Sequence, residues 1–135
     1  MQVYLASRYS RKLELREYAA EARASYIGVI SRWLEEDDDP NGTLDKVSTV
    51  QLMEYAKQDI DDIDKADILV FFAEDPLVGV PRGGRHVEFG YALGAGKPIV
   101  VIGKPENVFH YLPASYATIE FFETWESALQ YLRTQ

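Results

Sequence analysis

Two patterns of apolar residues alternate along this chain: short continuous apolar runs, and longer stretches with an apolar residue every three or four positions. The continuous runs lie at residues 3–6, 66–72 and 98–103, and such runs are typical of strands buried on both faces of a parallel sheet. Two further strands are predicted at 26–33, which is rich in β-branched and aromatic residues, and at 116–121. For residues 26–33, continuation of the preceding helix is the competing interpretation.

Helical spacing of apolar residues fills the stretches between these runs. It predicts helices over residues 11–24, 45–63 and 124–132, and a further helix that opens in the glycine-rich stretch 83–98. Strand and helix therefore alternate along the whole chain, which predicts a parallel sheet covered by helices on both faces. We expect one α/β domain over residues 1–135, a three-layer α/β/α fold with a flavodoxin-like (Rossmann-like) five-stranded sheet in the order 2-1-3-4-5.

Composition and charge exclude several classes of function. The chain has 135 residues with 47% hydrophobic and 13% aromatic residues, which suits a single globular domain. A net charge of −8 argues against binding to a nucleic-acid polymer. The chain has no cysteine, so disulfides and thiolate metal sites are excluded, and we expect neither a metal nor a cofactor. No apolar run approaches the ~20 residues that span a bilayer, and the first residues do not resemble a signal peptide, so we expect a cytoplasmic protein without a membrane partner.

The predicted strand order also predicts where a ligand binds. In sheets of this kind ligands lie beyond the carboxyl ends of the strands where the strand order reverses, here between the first and third strands. That point gathers residues 7–11, the end of the second helix near Asp59, and residues 82–88. The loop at 73–86 is long and bounded by proline and glycine, which is typical of a binding loop.

Glu88 is the central candidate for chemistry. It lies within GGRHVEFGYALGAGKP at residues 83–98, where the glycine pair leaves the first N–H groups of the helix free to face an anion or a sugar oxygen. In one interpretation Glu88 only complements the positive end of the helix dipole, an effect of about 0.3–1 kcal/mol. In the other it is a nucleophile or general base held in a cleft by the apolar neighbours Phe89 and Tyr91.

These motifs resemble the nucleoside 2-deoxyribosyltransferase superfamily, including its deoxynucleoside 5'-monophosphate N-glycosidase branch. The resemblance covers most of residues 3–112. It rests on VYLAS in the first strand, on Asp59, Ile63, Ala66 and Asp67 leading into the third strand, on EFGYALGAGK beginning at Glu88, and on Asn107 in ENVFHYL.

The resemblance implies an enzyme that cleaves or transfers the N-glycosidic bond of 2'-deoxynucleosides or their 5'-monophosphates. In that precedent Glu88 attacks the anomeric carbon and forms a covalent glycosyl-enzyme, as in a retaining mechanism. It implies that Asp59 is a second catalytic residue near the sugar or the base, and that Tyr4 and Ser7 line the pocket. It also implies that Asn107 reaches into a neighbouring subunit's site to bind the sugar hydroxyls, hence a homodimer or a higher homo-oligomer.

The sequence departs from the family pattern in two ways. Transferases of the family carry an acidic residue shortly before the nucleophile, where this chain has Arg82 or Gly83. This departure puts the base-exchange step in question. In addition, Arg8, Arg11, Arg82 and Arg85 concentrate positive charge in the crevice loops. They are either solvated surface residues with local ion pairs or a clamp for a 5'-phosphate, since arginine forks match phosphate oxygens.

Several side chains complete the candidate site. His86 would protonate a leaving base or is a surface histidine of the loop, and neither histidine has the partner spacing of a metal site. Tyr9 and Trp33 would stack on a base, although Trp33 is equally well a core residue. The predicted substrate-binding residues are Tyr4, Ser7, Arg8, Tyr9, Arg11, Gly83, Gly84, Arg85, His86 and Asn107.

Two other functions remain open at this point. One is a ribosyl or NAD glycohydrolase with the same crevice, but PRGGRHVE only partly resembles the PGG-x-GT-x-x-E loop of phosphoribohydrolases because it lacks the Gly-Thr pair. The other is a nucleotide-binding sensor that has kept the pocket and lost turnover, which the arginine at position 82 would favour.

Overall fold

The structure is a computed structural model that describes residues 1–36, 47–75, 77 and 83–135. Within these residues the strands form a single parallel sheet in the order β2-β1-β3-β4-β5, so the predicted flavodoxin-like order is confirmed. The strands are β1 (Gln2–Ala6), β2 (Gly28–Val29), β3 (Ile68–Phe72), β4 (Ile99–Ile102) and β5 (Ile119–Phe122).

Helices cover both faces of the sheet. They are α1 (Lys12–Ala24), α2 (Thr49–Lys65), α3 (Gly84–Gly94) and α4 (Trp125–Leu132). On one face α1 contacts α4, where the Trp125 indole N–H donates to Glu21 at 2.8 Å. On the other face α2 contacts α3, where the Tyr91 hydroxyl donates to Asp64 at 2.7 Å. The predicted three-layer arrangement is therefore present.

Local capping explains where two of these helices begin. The Thr124 hydroxyl accepts the Ser127 N–H at 3.2 Å and starts α4, as its side chain predicts. Ser48 caps α2 in the same way, accepting the Gln51 N–H at 3.1 Å. The predicted start of that helix at residue 45 lies outside the described residues.

The central strand β3 shows why the apolar runs form the core. All five of its residues are buried, and successive side chains point to opposite faces of the sheet. Phe72 stacks on Tyr18 of α1, with ring centroids 5.7 Å apart, while Phe71 meets Phe89 of α3 edge-on at 5.4 Å. Full burial of one such side chain contributes about 1.5–3 kcal/mol. The sheet therefore fixes the positions of α1 and α3 relative to each other.

The second strand is much shorter than the predicted strand at residues 26–33. Gly28–Val29 pairs with β1, and the Ile30 N–H still donates to the Val3 carbonyl at 3.1 Å. Beyond Ile30 the bonds to β1 come from side chains: the Ser31 hydroxyl accepts the Leu5 N–H at 2.7 Å and the Trp33 indole N–H donates to the Leu5 carbonyl at 2.9 Å. The backbone N–H of Arg32 turns instead to the carboxylate of Asp62, at 3.0 Å. The main chain therefore leaves the sheet in a 3₁₀ turn, and Trp33 is a core residue.

The last strand also begins later than predicted. Residues 116–118 precede β5, because the N–H groups of Tyr116 and Ala117 both bond to the carbonyl of Pro113 in a turn. The predicted loop over 104–113 contains a further 3₁₀ turn, Val108–Tyr111. That turn borders the candidate site.

We predict that Trp33→Phe destabilises the protein more than Trp125→Phe does. Both indoles are buried and both donate one hydrogen bond. The first change leaves the buried Leu5 carbonyl without its partner, which costs about 1–3 kcal/mol, whereas the second leaves Glu21, an exposed residue whose carboxylate water can solvate. Urea unfolding of the two variants measures the difference. Equal losses would contradict the proposed role of Trp33 at the edge of β1.

Candidate active site

Three elements bring a phenol and two carboxylates together at the carboxyl end of β1. Tyr4 extends from β1 towards the layer of α2 and α3, and its side chain is fully buried. Its hydroxyl donates a hydrogen bond to Oε2 of Glu88 on α3. Asp59 on α2 also interacts with that hydroxyl. The structure thus joins three residues that lie far apart in the sequence.

The start of α3 determines how Glu88 is presented. Gly83 precedes the helix with a φ of 87°, a left-handed conformation that favours glycine. The helix begins at Gly84, so Glu88 lies in the second turn and the first turn holds no acidic residue. The dipole effect falls off within the first turn. Interaction with the helix dipole is therefore a poor explanation for a carboxylate at this position.

The other side of α3 holds the helix on the sheet. Phe89 and Ala92 are buried, and Phe89 packs against Phe71 of β3. Glu88 itself is half-buried, as is Asp59. The two carboxylates are therefore neither turned into bulk solvent nor sealed within the core.

Burial dominates the electrostatics of both carboxylates. Burial raises the pKa of Glu88 to about 8; the charge of Asp59 adds to the increase, and the hydrogen bond from Tyr4 opposes it. Burial likewise raises the pKa of Asp59 to about 7, with the neighbouring charges of Glu36 and Asp62 adding to it. The pKa of Tyr4 is raised well above its ordinary value, first by burial and then by Glu88, so Tyr4 stays a donor. Near neutral pH the site therefore holds protons that ordinary carboxylates would have lost.

The buried Oδ1 of Asp59 has no hydrogen-bond partner among the described residues. Leaving a buried acceptor unpaired costs about 1–3 kcal/mol. Such an atom is expected where a ligand or a water molecule completes the bonding.

Sequence reasoning missed two carboxylates near Asp59. Asp62 is buried and accepts from Arg32 three times: from the backbone N–H at 3.0 Å and from Nε and an outer guanidinium nitrogen, each at 2.8 Å. Glu36 accepts from the Tyr9 hydroxyl at 3.2 Å. Asp62 could have been predicted, because it follows Asp59 by three residues on one helix and such residues lie on the same face. No comparable signal marks Glu36, which stands in an acidic run.

The arginines of the crevice are engaged by carboxylates of this chain. Arg11 pairs with Glu14 at 2.6 Å and with Glu74 at 3.0 Å. Arg85 is only 3% exposed, and both of its outer nitrogens bond to Glu106. Both side chains form local ion pairs, as one of the two expectations for the arginines had it, but Arg85 is buried and not a solvated surface residue. In both cases a carboxylate of this chain already holds the guanidinium group that a phosphate clamp would use. Arg82 lies outside the described residues, and Arg8 is half-buried.

The residues that follow β1 line one side of this region. Ser7 is buried, and its hydroxyl donates to the Arg8 carbonyl at 3.1 Å. The ring of Tyr9 lies 5.8 Å from that of Trp33, and its hydroxyl accepts from the buried amine of Lys12 at 2.6 Å. Tyr9 is therefore held in place by Trp33, Lys12 and Glu36.

Asn107 and His86 meet on the opposite side. The Asn107 amide nitrogen lies 3.4 Å from Nδ1 of His86, and its Oδ1 accepts the Phe109 N–H at 3.0 Å, which caps the 3₁₀ turn. Burial lowers the pKa of His86, and the charge of Arg85 adds to the decrease. His110, which was not predicted as a site residue, is fully buried beneath them.

Two absences apply to the described part of the chain. No three or more of its acidic or histidine side chains cluster in a way that could hold a metal ion. None of its helices combines the length and the apolar character needed to cross a membrane.

Solved structures of three enzymes have the same fold over nearly their whole length. The CMP N-glycosidase BcmB of Clostridium botulinum superposes with a TM-score of 0.66 at 19% identity, covering 100% of both chains. A 2-deoxyribosyltransferase of Bacillus psychrosaccharolyticus gives 0.66 at 22% identity, covering 97% of this chain and 92% of that chain. A 2-deoxyribosyltransferase of Leishmania mexicana gives 0.64 at 14% identity, covering 99% and 97%. No protein-family model matches the sequence, and no curated protein matches it. At these identities the likeness establishes a shared fold.

The raised pKa of Glu88 predicts how stability depends on pH. The folded protein keeps a proton on Glu88 up to a pKa of about 8, whereas the unfolded chain releases it near its ordinary pKa of about 4.3. Folding must therefore take up a proton between these values, so the Glu88 contribution to the free energy of unfolding falls as pH rises through this window. We expect Glu88→Gln to match the wild type near pH 4 and to exceed it near pH 8 by on the order of 1 kcal/mol or more.

Urea unfolding at several pH values measures this difference. Glu120→Gln, at an exposed position on β5, is the matched control and should keep a constant offset from the wild type. If the Glu88→Gln and wild-type curves also remained parallel, Glu88 would not be the group that takes up the proton.

Proposed function

We propose that this protein cleaves or transfers the N-glycosidic bond of 2'-deoxynucleosides or their 5'-monophosphates through a covalent glycosyl intermediate on Glu88, without a cofactor. The observation that carries the proposal is the hydrogen bond from the buried Tyr4 to Glu88, beside a second carboxylate whose pKa is also raised. A retaining glycosidic-bond enzyme needs two carboxyl groups, one as the nucleophile and one as the acid and base. The solved N-glycosidase and transferases of the same fold support the assignment.

Before the first step Glu88 passes its proton to Asp59, and the resulting carboxylate of Glu88 bonds to C1' as the bond from C1' to the base nitrogen breaks. The base leaves with the electron pair of that bond and takes a proton from Asp59, which is available because the pKa of Asp59 is raised to about 7. The transition state has oxocarbenium character, and the charge of Glu88 stabilises it. Tyr4 holds one oxygen of Glu88, which leaves the other for the attack.

In the second step an acceptor breaks the ester between Glu88 and the sugar. In hydrolysis the acceptor is a water molecule: the water oxygen bonds to C1', the water gives a proton to Asp59, and Glu88 leaves as a carboxylate. A second base that attacks through a ring nitrogen gives transfer instead. A side-chain carbon at Gly83 or Gly84 would have no atom of the described residues within 4 Å, so these positions leave room at the start of α3 for a substrate.

The pairing of Arg11 and Arg85 bears on the choice between nucleosides and nucleotides. A 5'-phosphate would have to be bound by groups other than these two guanidinium ions, which are already held by carboxylates. Parallel assays of each deoxynucleoside and its 5'-monophosphate distinguish the two substrate classes.

We predict that Glu88→Gln lowers the rate of base release at least about a thousandfold, because it removes the nucleophile. Asp59→Asn should lower the rate by about a hundredfold or more, and least for substrates whose base leaves readily without a proton. Chromatography of the free base released from a panel of deoxynucleosides and deoxynucleotides, with and without a second base, measures both effects and separates hydrolysis from transfer.

Glu120→Gln again serves as the control and should leave the rate unchanged. Base release by Glu88→Gln at the wild-type rate would overturn the mechanism. Release from ribonucleosides or NAD in preference to deoxy substrates would favour a glycohydrolase. Ligand-induced stabilisation of the wild type without any base release would indicate a nucleotide-binding sensor.

We also propose that the protein works as a homodimer or a higher homo-oligomer. Directly after Asn107, the 3₁₀ turn exposes three large apolar side chains: Val108 is 75% exposed, Phe109 59% and Tyr111 71%. Contiguous apolar side chains at the surface are typical of an interaction site. A second copy on this face would bring its Asn107 near the first copy's site, as the resemblance implies.

For this surface we predict that Phe109→Ser shifts the protein towards the monomer and lowers base release. Leu13→Ser on α1, at a residue that is 67% exposed, should change neither property. Light scattering after size-exclusion chromatography measures the mass. A wild-type protein that is monomeric at assay concentrations would contradict the proposal.

A further inference from the structure

We infer that Arg85 and Glu106 form a positioning pair, which fixes residues 105–111 against the start of α3 and thereby sets where Asn107 and His86 lie relative to Glu88. The catalytic consequence of this pair rests on the proposed function. Its structural consequence does not.

The geometry of the pair fixes orientation as well as distance. One outer nitrogen of Arg85 bonds to Oε2 of Glu106 and the other to Oε1, the latter at 2.7 Å. The guanidinium lies over the ring of Phe71, 5.0 Å from its centroid. A planar fork that meets a carboxylate through two bonds allows little rotation, which a lysine ammonium cannot reproduce.

Further bonds tie the same segment down behind Glu106. Its backbone N–H donates to Nδ1 of His110 at 3.0 Å, so the proton of the neutral ring is on Nε2. His110 is fully buried and packs against Phe89 and Phe71, with ring centroids 4.7 and 5.0 Å away. The 3₁₀ turn therefore rests on the same aromatic side chains that hold α3 to the sheet.

The next residues along each chain segment are in contact as well. His86 follows Arg85 and Asn107 follows Glu106, and their side-chain nitrogens lie 3.4 Å apart. Arg85 precedes Glu88 by one helical turn, so the two lie on the same side of α3. A shift of the ion pair would therefore move Asn107 and His86 relative to the nucleophile.

Stability alone does not account for such a pair. Exchanging a buried ion pair for apolar side chains of similar volume is often neutral or stabilising, whereas removing one partner leaves an uncompensated buried charge. Arg85→Met combined with Glu106→Leu should therefore fold, keep the apolar contact with Phe71, and lose the orienting fork. This double variant separates positioning from stability.

The first test is kinetic. We expect Arg85→Lys and the double variant each to lower kcat/KM for deoxynucleotide or deoxynucleoside cleavage about ten- to a hundredfold, with the larger share in KM because the pair positions Asn107, which would bind the sugar in the site of the second copy. Arg133→Lys is the matched control, since Arg133 is exposed, bonds to Ser25 and should keep wild-type constants. Wild-type KM and kcat in the double variant would overturn the inference.

The second test needs no substrate. We expect amide hydrogen exchange at Glu106 and Phe109 to be at least about tenfold faster in the double variant than in the wild type, with β4 unchanged. Unchanged exchange would overturn the inference even if the enzyme is active. If the wild type releases no base, the proposed function fails, and the exchange result alone decides whether the pair holds the segment.

Discussion

The hydroxyl of Tyr4 meets the carboxylate of Glu88 at the point where the first strand ends and α3 crosses the sheet. Burial raises the pKa of both groups because it disfavours their charged forms. The hydrogen bond from Tyr4 stabilises the charged form of Glu88 and so lowers the pKa of Glu88. It requires a strand and a helix to be held at a fixed separation. Phe89 and Ala92 of α3 supply that separation by packing on the sheet. The core thus holds in place a site that is unfavourable in itself, which is common in enzymes.

The other carboxylates follow from the same constraint. α2 carries both Asp59, which lies near Tyr4 and Glu88, and Asp62. Arg32 donates to the Asp62 carboxylate through its backbone N–H and its side chain. That contact holds the backbone of Arg32 just beyond the end of β2 at Val29. Asp62 therefore links the end of the short strand to the acidic site. Burial raises the pKa of Asp59, the charges of Glu36 and Asp62 add to the increase, and this gives the site a proton to donate near neutral pH.

Much of this architecture could be predicted from apolar spacing. The continuous run at 66–72 became β3, the alternation of strands with helices predicted the parallel sheet, and Tyr4, Asp59 and Glu88 come together although they lie far apart in the sequence. The end of β2 could not be predicted, because Ser31 and Trp33 replace backbone bonds with side-chain bonds that leave no periodic signal. The ion-pair partners of Arg85 and Arg11 could not be predicted from the sequence either. Glu106 lies 21 positions from Arg85, and Glu74 lies 63 from Arg11, so only the fold brings them together.

The central claim is that one oxygen of Glu88 forms a bond to the sugar during turnover. Mass spectrometry of protein quenched in acid during reaction with a deoxynucleoside or deoxynucleotide tests it most directly, followed by digestion and sequencing of the modified peptide. The account predicts a mass gain of one deoxyribosyl unit, or of its 5'-phosphate, on Glu88. Rapid base release under conditions that trap no adduct on Glu88, or an adduct on another residue, would contradict it.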